Sequence, residues 1–433
     1  MWARWATLHG VPRAFLVMRA HRGEPLARLL LGRIDRWERL QLFEQLRAVG
    51  PLVRTPAAWV TADHEVCRMI LRDNRFGVSA PSGIGLPGPL QALARHADPG
   101  LPNPVEPPSM LMVNPPDHTR FRRLVARSFT PRSIGTLDTL IGDVTAELLD
   151  GLEGRHNVDL ITDYAAQLPA AIITEILGLP SNDRHRILGW GNSGATLLDI
   201  GITWRTFHAA VSDLHDIDSY LTDHFARLHI AGGDGTPFSD MALKGELTDR
   251  ELKANATLLV GAGVETTVNL IGNGVTALLQ HRDQLALLHD DPTLWPSAIE
   301  EILRFDSPIQ MTPRMALCDM EIAGTKLQEG DGVVLLLGGA NRDPRVFPYP
   351  DRFDITRPNT RDHLAFSSGI HACVGAALAR IEGATALREL FTRFPELHLE
   401  APPEPRRLVT LQGYRRLPVR LHDATHASSR TAL

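Results

Sequence analysis

The proline-free stretch from Leu247 to His281 is the feature that most constrains what this chain can fold into. Thr248 and Glu251 have the spacing of a capping box, so a helix is predicted to begin directly after Thr248. A helix of roughly 33 residues at ~1.5 Å per residue would be about 50 Å long, which is enough to cross the whole molecule. The sequence therefore predicts one helix that spans the fold.

The middle of this predicted helix is unusual, because it contains Gly261 and Gly263, and each glycine costs about 1 kcal/mol relative to alanine. Glu265 and Thr266 follow, and such an acid–hydroxyl pair needs hydrogen-bond partners where it is buried. Two interpretations are open. Either the glycines permit a second helix to cross closely, or a flat group lies against them while Glu265 and Thr266 handle protons.

Most of the remaining sequence also has helical periodicity. Apolar residues recur every three or four positions from Asp138 to Gly154 and from Thr162 to Leu179. Strand-like segments occur at 51–62 and, around turn glycines, from Met320 to Gly339. The pattern predicts a mainly α fold with small β-sheets set to one side.

No internal repeat or low-complexity linker divides the chain, so we expect a single domain over residues 41–433, with residues 1–40 as an arginine-rich part of it. These 40 residues contain eight arginines and three acidic residues. Their apolar runs are shorter than the ~20 residues of a membrane span, and no signal-peptide cleavage site follows them. A solvated basic arm is expected, and a weak contact with a membrane or partner is the alternative.

Composition excludes several classes of protein. A hydrophobic content of 43% and a charged content of 22% are typical of a globular protein with a sizeable core. The net charge of -5 argues against a general nucleic-acid binder. The three cysteines, Cys67, Cys318 and Cys373, form no CxxC pair, which argues against a disulfide framework or a zinc ribbon. A reducing, cytoplasmic location is expected.

A proline-rich segment interrupts the helical pattern. The residues from Ser79 to Pro116 include ten prolines, and a loop of this length in a compact protein is usually functional, for example as a lid or binding loop. The letters GIGLPG at 83–88 match a dinucleotide-binding pattern, but Pro87 and Pro89 prevent the helix that such a motif must open. We interpret that match as chance.

Cys373 lies between two glycines in the sequence FSSGIHACVG. Gly369 is predicted to adopt a positive φ, and the cysteine is expected in the first turn of the following helix. Taken alone, Cys373 could be a buried hydrophobe, a nucleophile or a metal ligand. No Cys–His–Asn signature surrounds it, and a zinc site with His371 would need two further ligands, whereas a heme iron needs one thiolate.

Three further groups of charged residues suggest ion pairing or anion binding. Glu301 and Arg304 share a helix face and can pair, although this spacing alone is common. His118 and Arg122 are four residues apart after a predicted helix start, so both can donate to one acid or phosphate. Arg314 follows in an extended stretch and could reach an anionic group.

Together these segments resemble the cytochrome P-450 (heme-thiolate monooxygenase) family, in its soluble bacterial form. The family's heme loop, FxxGxHxCxG, is complete from Phe366 to Gly375. Its oxygen-activation pattern AGxET is present from Ala262 to Thr266, and its ExxR pair is present as Glu301 and Arg304. The motifs occur in the family's order between His118 and Cys373, so the resemblance covers most of the chain.

The resemblance implies a triangular, mainly helical body with heme b between the long helix and the cysteine loop. Cys373 would be the axial thiolate ligand of the heme iron. The residues expected to bind the heme propionates are His118, Arg122, Arg314 and His371. The other expected cofactor contacts are Phe366, Gly369, Gly375 and Ala262.

The resemblance also implies catalytic and structural roles. Thr266 and Glu265 would deliver protons to the bound oxygen. Glu301 and Arg304 would form a structural ion cluster, with Arg352 of the sequence PDRF as its third member.

A substrate pocket is expected from the proline-rich loop, at 76–108, and from mostly apolar residues elsewhere. The residues expected to line it are Leu258, Ala262, Ile309, Gln310, Met311, Thr312, Leu411 and Gln412. Such a lining favours a lipophilic small molecule.

The implied reaction inserts one oxygen atom from O2 into a C–H bond. Nothing in the sequence is typical of a flavin or iron–sulfur domain, so ferredoxin and ferredoxin reductase are expected to supply the electrons, with NAD(P)H acting only through them. Basic residues from Arg120 to Arg127 and beside the heme loop are expected to contact an acidic ferredoxin, and the chain is expected to be a monomer. The alternatives are oxidative coupling or desaturation on the same fold, and a non-catalytic heme-binding protein.

Overall fold

The computed structural model describes residues 1–78 and 96–422. The proline-rich loop is therefore described only from residue 96 onward, and the GIGLPG segment at 83–88 lies outside the described residues.

Helices make up most of the described chain. In the N-terminal half they are α1 (Trp2–Trp5), α2 (Val11–His21), α3 (Pro25–Leu30), α4 (Arg36–Val49), α5 (His64–Arg72), α6 (Asp117–Val125), α7 (Pro131–Asp150), α8 (Gln167–Ile176), α9 (Arg184–Thr196) and α10 (Trp204–Ala231). They continue with α11 (Pro237–Leu243), α12 (Asp249–Gln280), α13 (Arg282–Asp290), α14 (Trp295–Phe305), α15 (Leu337–Ala340) and α16 (Ala376–Arg393). The two shorter helices predicted from periodicity correspond to α7 and α8.

The predicted long helix is confirmed as α12. Its capping box is complete, because the Thr248 hydroxyl accepts from the Glu251 N–H and the Glu251 carboxylate accepts from the Thr248 N–H. Helices α8, α9, α14 and α16 pack against it. Because its neighbours surround it, α12 is buried along most of its length and forms the axis of the helical part of the fold.

The strands are short. They are β1 (Val53–Arg54), β2 (Trp59–Thr61), β3 (Phe76–Gly77), β4 (Asn157–Asp159), β5 (Thr312–Ala316), β6 (Met320–Ile322), β7 (Thr325–Leu327), β8 (Gly332–Leu335), β9 (His398–Leu399), β10 (Glu404–Pro405), β11 (Tyr414–Arg416) and β12 (Pro418–Arg420). The main sheet has the order β1-β2-β8-β5-β3, with β2 and β8 parallel and the other pairs antiparallel. Arg314 lies opposite Val333 in this sheet, so its backbone position is fixed by the β5–β8 register.

Two clusters of buried apolar side chains meet near Cys373. The first, which we call the helical core, surrounds α12 and includes Ala365 and Leu378. The second, the sheet core, lies between α5 and the main sheet and includes Leu71 and Leu364. Since Leu364 and Ala365 are consecutive but belong to different cores, the boundary between the cores runs through the chain just before the cysteine loop. A third cluster packs α3 and α4 against the sheet.

The N-terminal segment is folded onto the body of the protein. A π-helical turn, Ala6–Gly10, joins α1 to α2. The Trp5 Nε1–H donates to the Ile202 carbonyl at 3.0 Å, and the Arg13 guanidinium donates to the Gly201 carbonyl at 2.8 Å. Part of the expected solvated arm is therefore packed. Among the described residues, no helix is long and apolar enough to cross a membrane.

Candidate active site

The loop that carries Cys373 is closed by one backbone hydrogen bond, in which the Cys373 N–H donates to the Phe366 carbonyl at 2.9 Å. Ser367 has a φ of 62° and Gly369 a φ of 72°, so the positive φ predicted for Gly369 is confirmed. A Cβ at Gly369 would lie 2.1 Å from the Leu71 carbonyl oxygen. Glycine is thus required here by both backbone conformation and space.

Cys373 lies before the following helix, which begins at Ala376, so the prediction that it belongs to the first helical turn is wrong. The residues Gly369–His371 form a 3-10 turn, and the chain reaches the helix only after Gly375. The Gly375 N–H donates to the Cys373 thiol. This N–H is one of those that a helix N-terminus leaves without an intrahelical acceptor, so the sulfur satisfies it.

The Cys373 thiol lies deep in the protein and yet the residue is accessible on one side. Burial raises the pKa of the thiol, while the Gly375 N–H and the guanidinium groups of Arg122 and Arg380 act in the opposite direction. A thiol held in this way becomes an anionic ligand beside a metal cation, which deprotonates it.

Four basic side chains, which we call the basic cluster, lie beside the cysteine loop: His118, Arg122, Arg314 and His371. The rings of His118 and His371 have their centroids 4.0 Å apart. Arg122 donates to the Ala372 carbonyl, within the loop. Arg314 reaches from β5, is almost fully buried, and donates to the Thr312 hydroxyl at 2.9 Å. Within residues 1–78 and 96–422, none of the four forms an ion pair with a carboxylate.

The electrostatics of this cluster favour an anion. Burial, together with the positive charges of His118, Arg314 and Arg122, lowers the pKa of His371 to about 3. Burial alone lowers the pKa of Arg314 to about 10. The His371 Nε2 is buried and has no hydrogen-bond partner in the described structure. Buried basic groups and an orphaned ring nitrogen, without an acid nearby, are the partners that a carboxylate ligand would satisfy.

The two glycines in the middle of α12 have different surroundings. A Cβ at Gly263 would lie 2.4 Å from the Ile173 Cδ1, so this glycine allows α8 to cross closely. A Cβ at Gly261 would meet no described atom within 4 Å, and Ala262 is exposed although the helix around it is buried. Thr266 lies on the same open part of the helix, and its hydroxyl donates to the Ala262 carbonyl at 2.6 Å.

Glu265 is buried and contacts Arg406, which follows β10. The Arg406 Nε and the Glu265 Oε1 are 2.7 Å apart. Burial raises the pKa of Glu265 to about 7, while the Arg406 charge and the Asn269 amide act to lower it. No direct hydrogen bond joins Glu265 to Thr266 in the described structure. Glu265 and Thr266 are therefore adjacent in sequence, but their side chains contact different partners.

The ion cluster around Glu301 has a different third member from the one expected. Arg304 binds the Glu301 carboxylate with both Nε and Nη2, at 2.7 and 2.8 Å. The Arg357 Nε lies 3.4 Å from Glu301, and its side chain is 7% exposed. The Arg352 side chain is 67% exposed and only its carbonyl oxygen contacts Arg304. The prediction of Arg352 is wrong, because PDRF turns that side chain outward and supplies backbone instead.

Several side chains expected in the substrate pocket are used elsewhere. The Gln310 amide donates to the Ser307 carbonyl at 2.7 Å, and the Gln412 amide is bonded to Arg39 and Asp306. Met311 belongs to the cluster that packs α3 and α4. These contacts hold the three side chains within the protein, and their role as pocket lining stays a prediction.

The other expected pocket residues divide into two groups. Leu258 and Leu411 are buried, whereas Ile309 and Thr312 are partly exposed. Ile309 pairs with Leu411 through an isolated β-bridge, which brings these two segments together. Their role as lining stays a prediction, as does that of residues 79–95, which lie outside the described part of the chain.

Sequence reasoning missed Arg357 and Arg406. Arg357 lies five residues after Arg352 of PDRF, so the signal was present but ambiguous, because either arginine could pair with the one carboxylate. Arg406 lies 141 positions after Glu265 in the chain and carries no local pattern that indicates its partner. Both pairs depend on long-range packing.

Comparison with known proteins defines the class. The family model for cytochrome P450 matches residues 181–412. A Mycobacterium tuberculosis protein that carries the name cytochrome P450 140 is 42% identical over 427 residues, covering 97% of each chain. The vitamin D(3) 25-hydroxylase of Pseudonocardia autotrophica is 43% identical over 320 residues, which is 72% of this chain and 77% of that one.

A solved structure has the same fold. The crystal structure of P450BioI in complex with an acyl carrier protein ligated to hexadec-9Z-enoic acid superimposes with a TM-score of 0.81, at 34% identity, covering 89% of this chain and 98% of that one. The fold and the site thus define a heme-thiolate oxidoreductase. The chain belongs to the cytochrome P450 family, whose members are monooxygenases that use heme b and O2, with electrons that come from NAD(P)H through redox partners.

The residues present fit heme b. The resemblance to the family implies a heme between the long helix and the cysteine loop, and both of these elements offer suitable surroundings for it. On one side Gly261 and Ala262 leave the surface of α12 open, and on the other Cys373 is an exposed residue whose thiol lies deep in the protein. The basic cluster provides the positive charge that two propionates require, and the unpartnered His371 nitrogen is within it. Among the described residues, no group of three or more His, Cys, Asp or Glu offers a competing metal site.

Proposed function

We propose that this cytochrome P450 inserts one oxygen atom from O2 into a C–H bond of a lipophilic small molecule, with Cys373 as the axial ligand of its heme. The observation that carries the assignment is the surroundings of Cys373. Four basic side chains that pair with no carboxylate among the described residues lie beside this exposed residue, whose thiol is deeply placed. His118, Arg122, Arg314 and His371 would hold the propionates, with Phe366 packed near the sulfur. When bound, the heme binds and activates O2, with the thiolate promoting cleavage of the O–O bond.

The protein's own contribution to proton delivery centres on Thr266. Its hydroxyl donates a hydrogen bond to the Ala262 carbonyl, so the oxygen lone pairs are free to accept a hydrogen bond from water. Because Ala262 and Thr266 lie on the open part of α12, the hydroxyl is on the side where the reaction would occur. Thr266 thus positions a proton without needing to titrate.

Replacing Thr266 with alanine should uncouple electron use from product formation, with hydrogen peroxide released. We expect at least about tenfold less product per NAD(P)H consumed, since proton transfer by correctly positioned groups contributes ~100-fold or more to a rate and Thr266 would position the water that carries the proton. The measurement is the ratio of product to NAD(P)H with surrogate redox partners. Thr266→Ser, which keeps the hydroxyl, is the matched control, and unchanged coupling in Thr266→Ala would refute the assignment.

Glu265 gives the reaction a pH dependence. With a pKa near 7, it is a neutral acid below that value and a carboxylate paired with Arg406 above it. If Glu265 supplies protons, coupling should fall as the pH rises through about 7, and Glu265→Gln should remove this transition. Arg406→Gln removes the cation that lowers the pKa of Glu265, so the midpoint should move to higher pH. A midpoint that Arg406→Gln leaves in place contradicts the proposal.

The class of substrate is supported by the apolar residues and by relatives. Ile309 and Ala262 present apolar surface. One relative is named as a vitamin D(3) hydroxylase, and one structural neighbour was crystallised with an acyl carrier protein ligated to a fatty acid. Titrating the heme-loaded protein with steroids, polyketides and fatty acids, and following the shift of the heme absorption band, tests the proposal. Binding of polar metabolites alone would contradict it.

The electron donors are proposed to be a ferredoxin and its reductase, as is general for the bacterial family. The structure narrows the expected contact surface. Arg120 pairs with Glu251 at 2.5 Å and Arg127 with Glu246 at 2.6 Å, so their charges are largely compensated within the chain. Arg123 lies between them on α6 and is exposed. We therefore propose Arg123 as the residue of α6 that contacts an acidic partner.

Coupling and desaturation on the same fold, and heme binding without turnover, are the competing functions. Product analysis with surrogate redox partners separates them, because only insertion adds an atom of labelled O2 to the product. We also propose that residues 1–40 belong to the same domain as the rest of the chain, which the contacts of Trp5 and Arg13 with the body support.

A further inference from the structure

Helix α2 carries an apolar stripe that faces away from the protein. Val11, Phe15 and Met18 are spaced by four and three residues, so they lie on one face of the helix, with Ala14 beside them. They are 50%, 37% and 45% exposed. We call these four residues the outer stripe. Three large apolar side chains in one row form a contiguous surface, unlike the isolated exposed apolar residues that are usual in proteins.

The other face of the same helix is fixed to the body. Leu16 is buried, and Arg13 donates to the Gly201 carbonyl. Just before the helix, the His9 ring packs against Phe207 with centroids 5.4 Å apart, and Trp5 bonds to the Ile202 carbonyl. These contacts set the rotation of α2, so the outer stripe cannot turn inward without breaking them.

The charge of this segment is opposite to that of the rest of the chain. With eight arginines and three acids, residues 1–40 carry a formal charge of 8 - 3 = +5, and the whole chain carries -5, which leaves -10 for the remaining residues. The three acids are all in use. Glu24 caps α3, and Asp35 and Glu38 form the capping box of α4.

Five of the arginines, Arg13, Arg19, Arg22, Arg33 and Arg39, form no ion pair with an acid in the described part of the chain, and of these Arg13 and Arg39 donate to other polar groups. Arg19 lies in the last turn of α2, and Arg22 directly follows that helix, so both come just after the outer stripe in the chain. Arg33 lies in the turn before α4. The result is an outward apolar row with uncompensated positive charge at its C-terminal end.

We propose that the outer stripe, with Arg19 and Arg22, binds a membrane surface that contains anionic lipid, as a peripheral contact. Apolar side chains on one face with arginines beside them are the pattern of helices that lie in a lipid interface. The exposed Trp2 adds a residue type that favours this interface. A second copy of this chain fits less well, because a two-fold contact would bring two +5 segments together. This inference does not depend on the substrate or the reaction.

The test is sedimentation of the heme-loaded protein with lipid vesicles. Vesicles of phosphatidylcholine with about one third phosphatidylglycerol should bind the protein, pure phosphatidylcholine should bind it weakly, and salt near ~0.5 M should weaken binding. The double change Arg19→Gln with Arg22→Gln should weaken binding about 30-fold, from the contribution typical of two arginines at an anionic surface. The double change Phe15→Ser with Met18→Ser should weaken it at least about tenfold.

Matched controls distinguish binding by this surface from binding through overall charge or through any exposed apolar side chain. Arg123→Gln with Arg132→Gln removes the same charge from exposed positions on α6 and α7. Ile230→Ser removes an apolar side chain that is 89% exposed, about 35 Å along α10 from Phe207. Both should bind as the unchanged protein does, and circular dichroism should show that every variant is folded.

Three results would overturn the proposal. The first is no binding to anionic vesicles, and the second is equal loss of binding in the controls. The third is a dimer in sedimentation velocity that Phe15→Ser with Met18→Ser converts to a monomer, because the stripe would then be a contact between copies of the chain.

Discussion

Replacing Cys373 with serine should leave the protein folded and lower monooxygenase activity by more than about 100-fold. Loss of a group that only orients a metal ligand already costs roughly 10- to 100-fold, so loss of the ligand itself should cost more. The loop is held by the bond of the Cys373 N–H to Phe366 and by the tight fit of Gly369 against Leu71, and neither contact uses the sulfur. The fold should therefore survive.

The readout that identifies the ligand is the absorption spectrum of the reduced protein with carbon monoxide. The band characteristic of thiolate ligation should disappear in Cys373→Ser while far-ultraviolet circular dichroism is retained. Cys318→Ser is the matched control, because Cys318 is an exposed free cysteine, away from the loop in sequence. If the band persisted in Cys373→Ser, another residue would be the ligand.

Replacing Glu301 with glutamine should destabilise the protein by about 3–5 kcal/mol, the cost typical of removing one partner of a buried ion pair. Glu301 and Arg304 are fully buried, and Arg357 lies against the same carboxylate. The neutral amide would leave two buried guanidinium groups without their anion. The measurement is the free energy of unfolding in urea, made on the heme-loaded protein.

The two arginines near Glu301 provide a matched pair. Arg357→Gln should also lower the free energy of unfolding, whereas Arg352→Gln should change it by less than about 0.5 kcal/mol, as is usual for an exposed side chain. A larger loss in Arg352→Gln than in Arg357→Gln would show that the ion cluster is assigned incorrectly here.

Local patterns predicted the elements that position the site. The capping box of α12, the strands near Val60 and Val333, and the left-handed Gly369 depend on neighbouring residues, so the sequence reports them directly. The motif around Cys373 also indicated the family, because its residue types and spacing are rare together. The grouping of His118 with His371 followed only from the resemblance, since their separation of 253 residues has no local signal.

The error at Arg352 has a physical origin, because the direction of its side chain is decided by tertiary packing. Arg352 and Arg357 are equally plausible partners in the sequence, and the path of the turn between them decides which one is buried. Likewise, no local pattern indicates that the Gln310 amide donates to the Ser307 carbonyl or the Gln412 amide to Asp306. Cys373 lies before α16, and its sulfur accepts a hydrogen bond from the Gly375 N–H at the helix start.

The basic cluster draws its members from both sides of the boundary between the helical and sheet cores. His118 lies on α6, beside Phe121 of the helical core, whereas Arg314 lies on β5, beside Ala316 of the sheet core. In the absence of an anion these groups repel one another, and this repulsion adds to the larger effect of burial in lowering the pKa of His371. A dianionic cofactor would turn that repulsion into a cross-link between two halves of the molecule. The holoprotein should then unfold as one cooperative unit, and the apoprotein should melt in two stages.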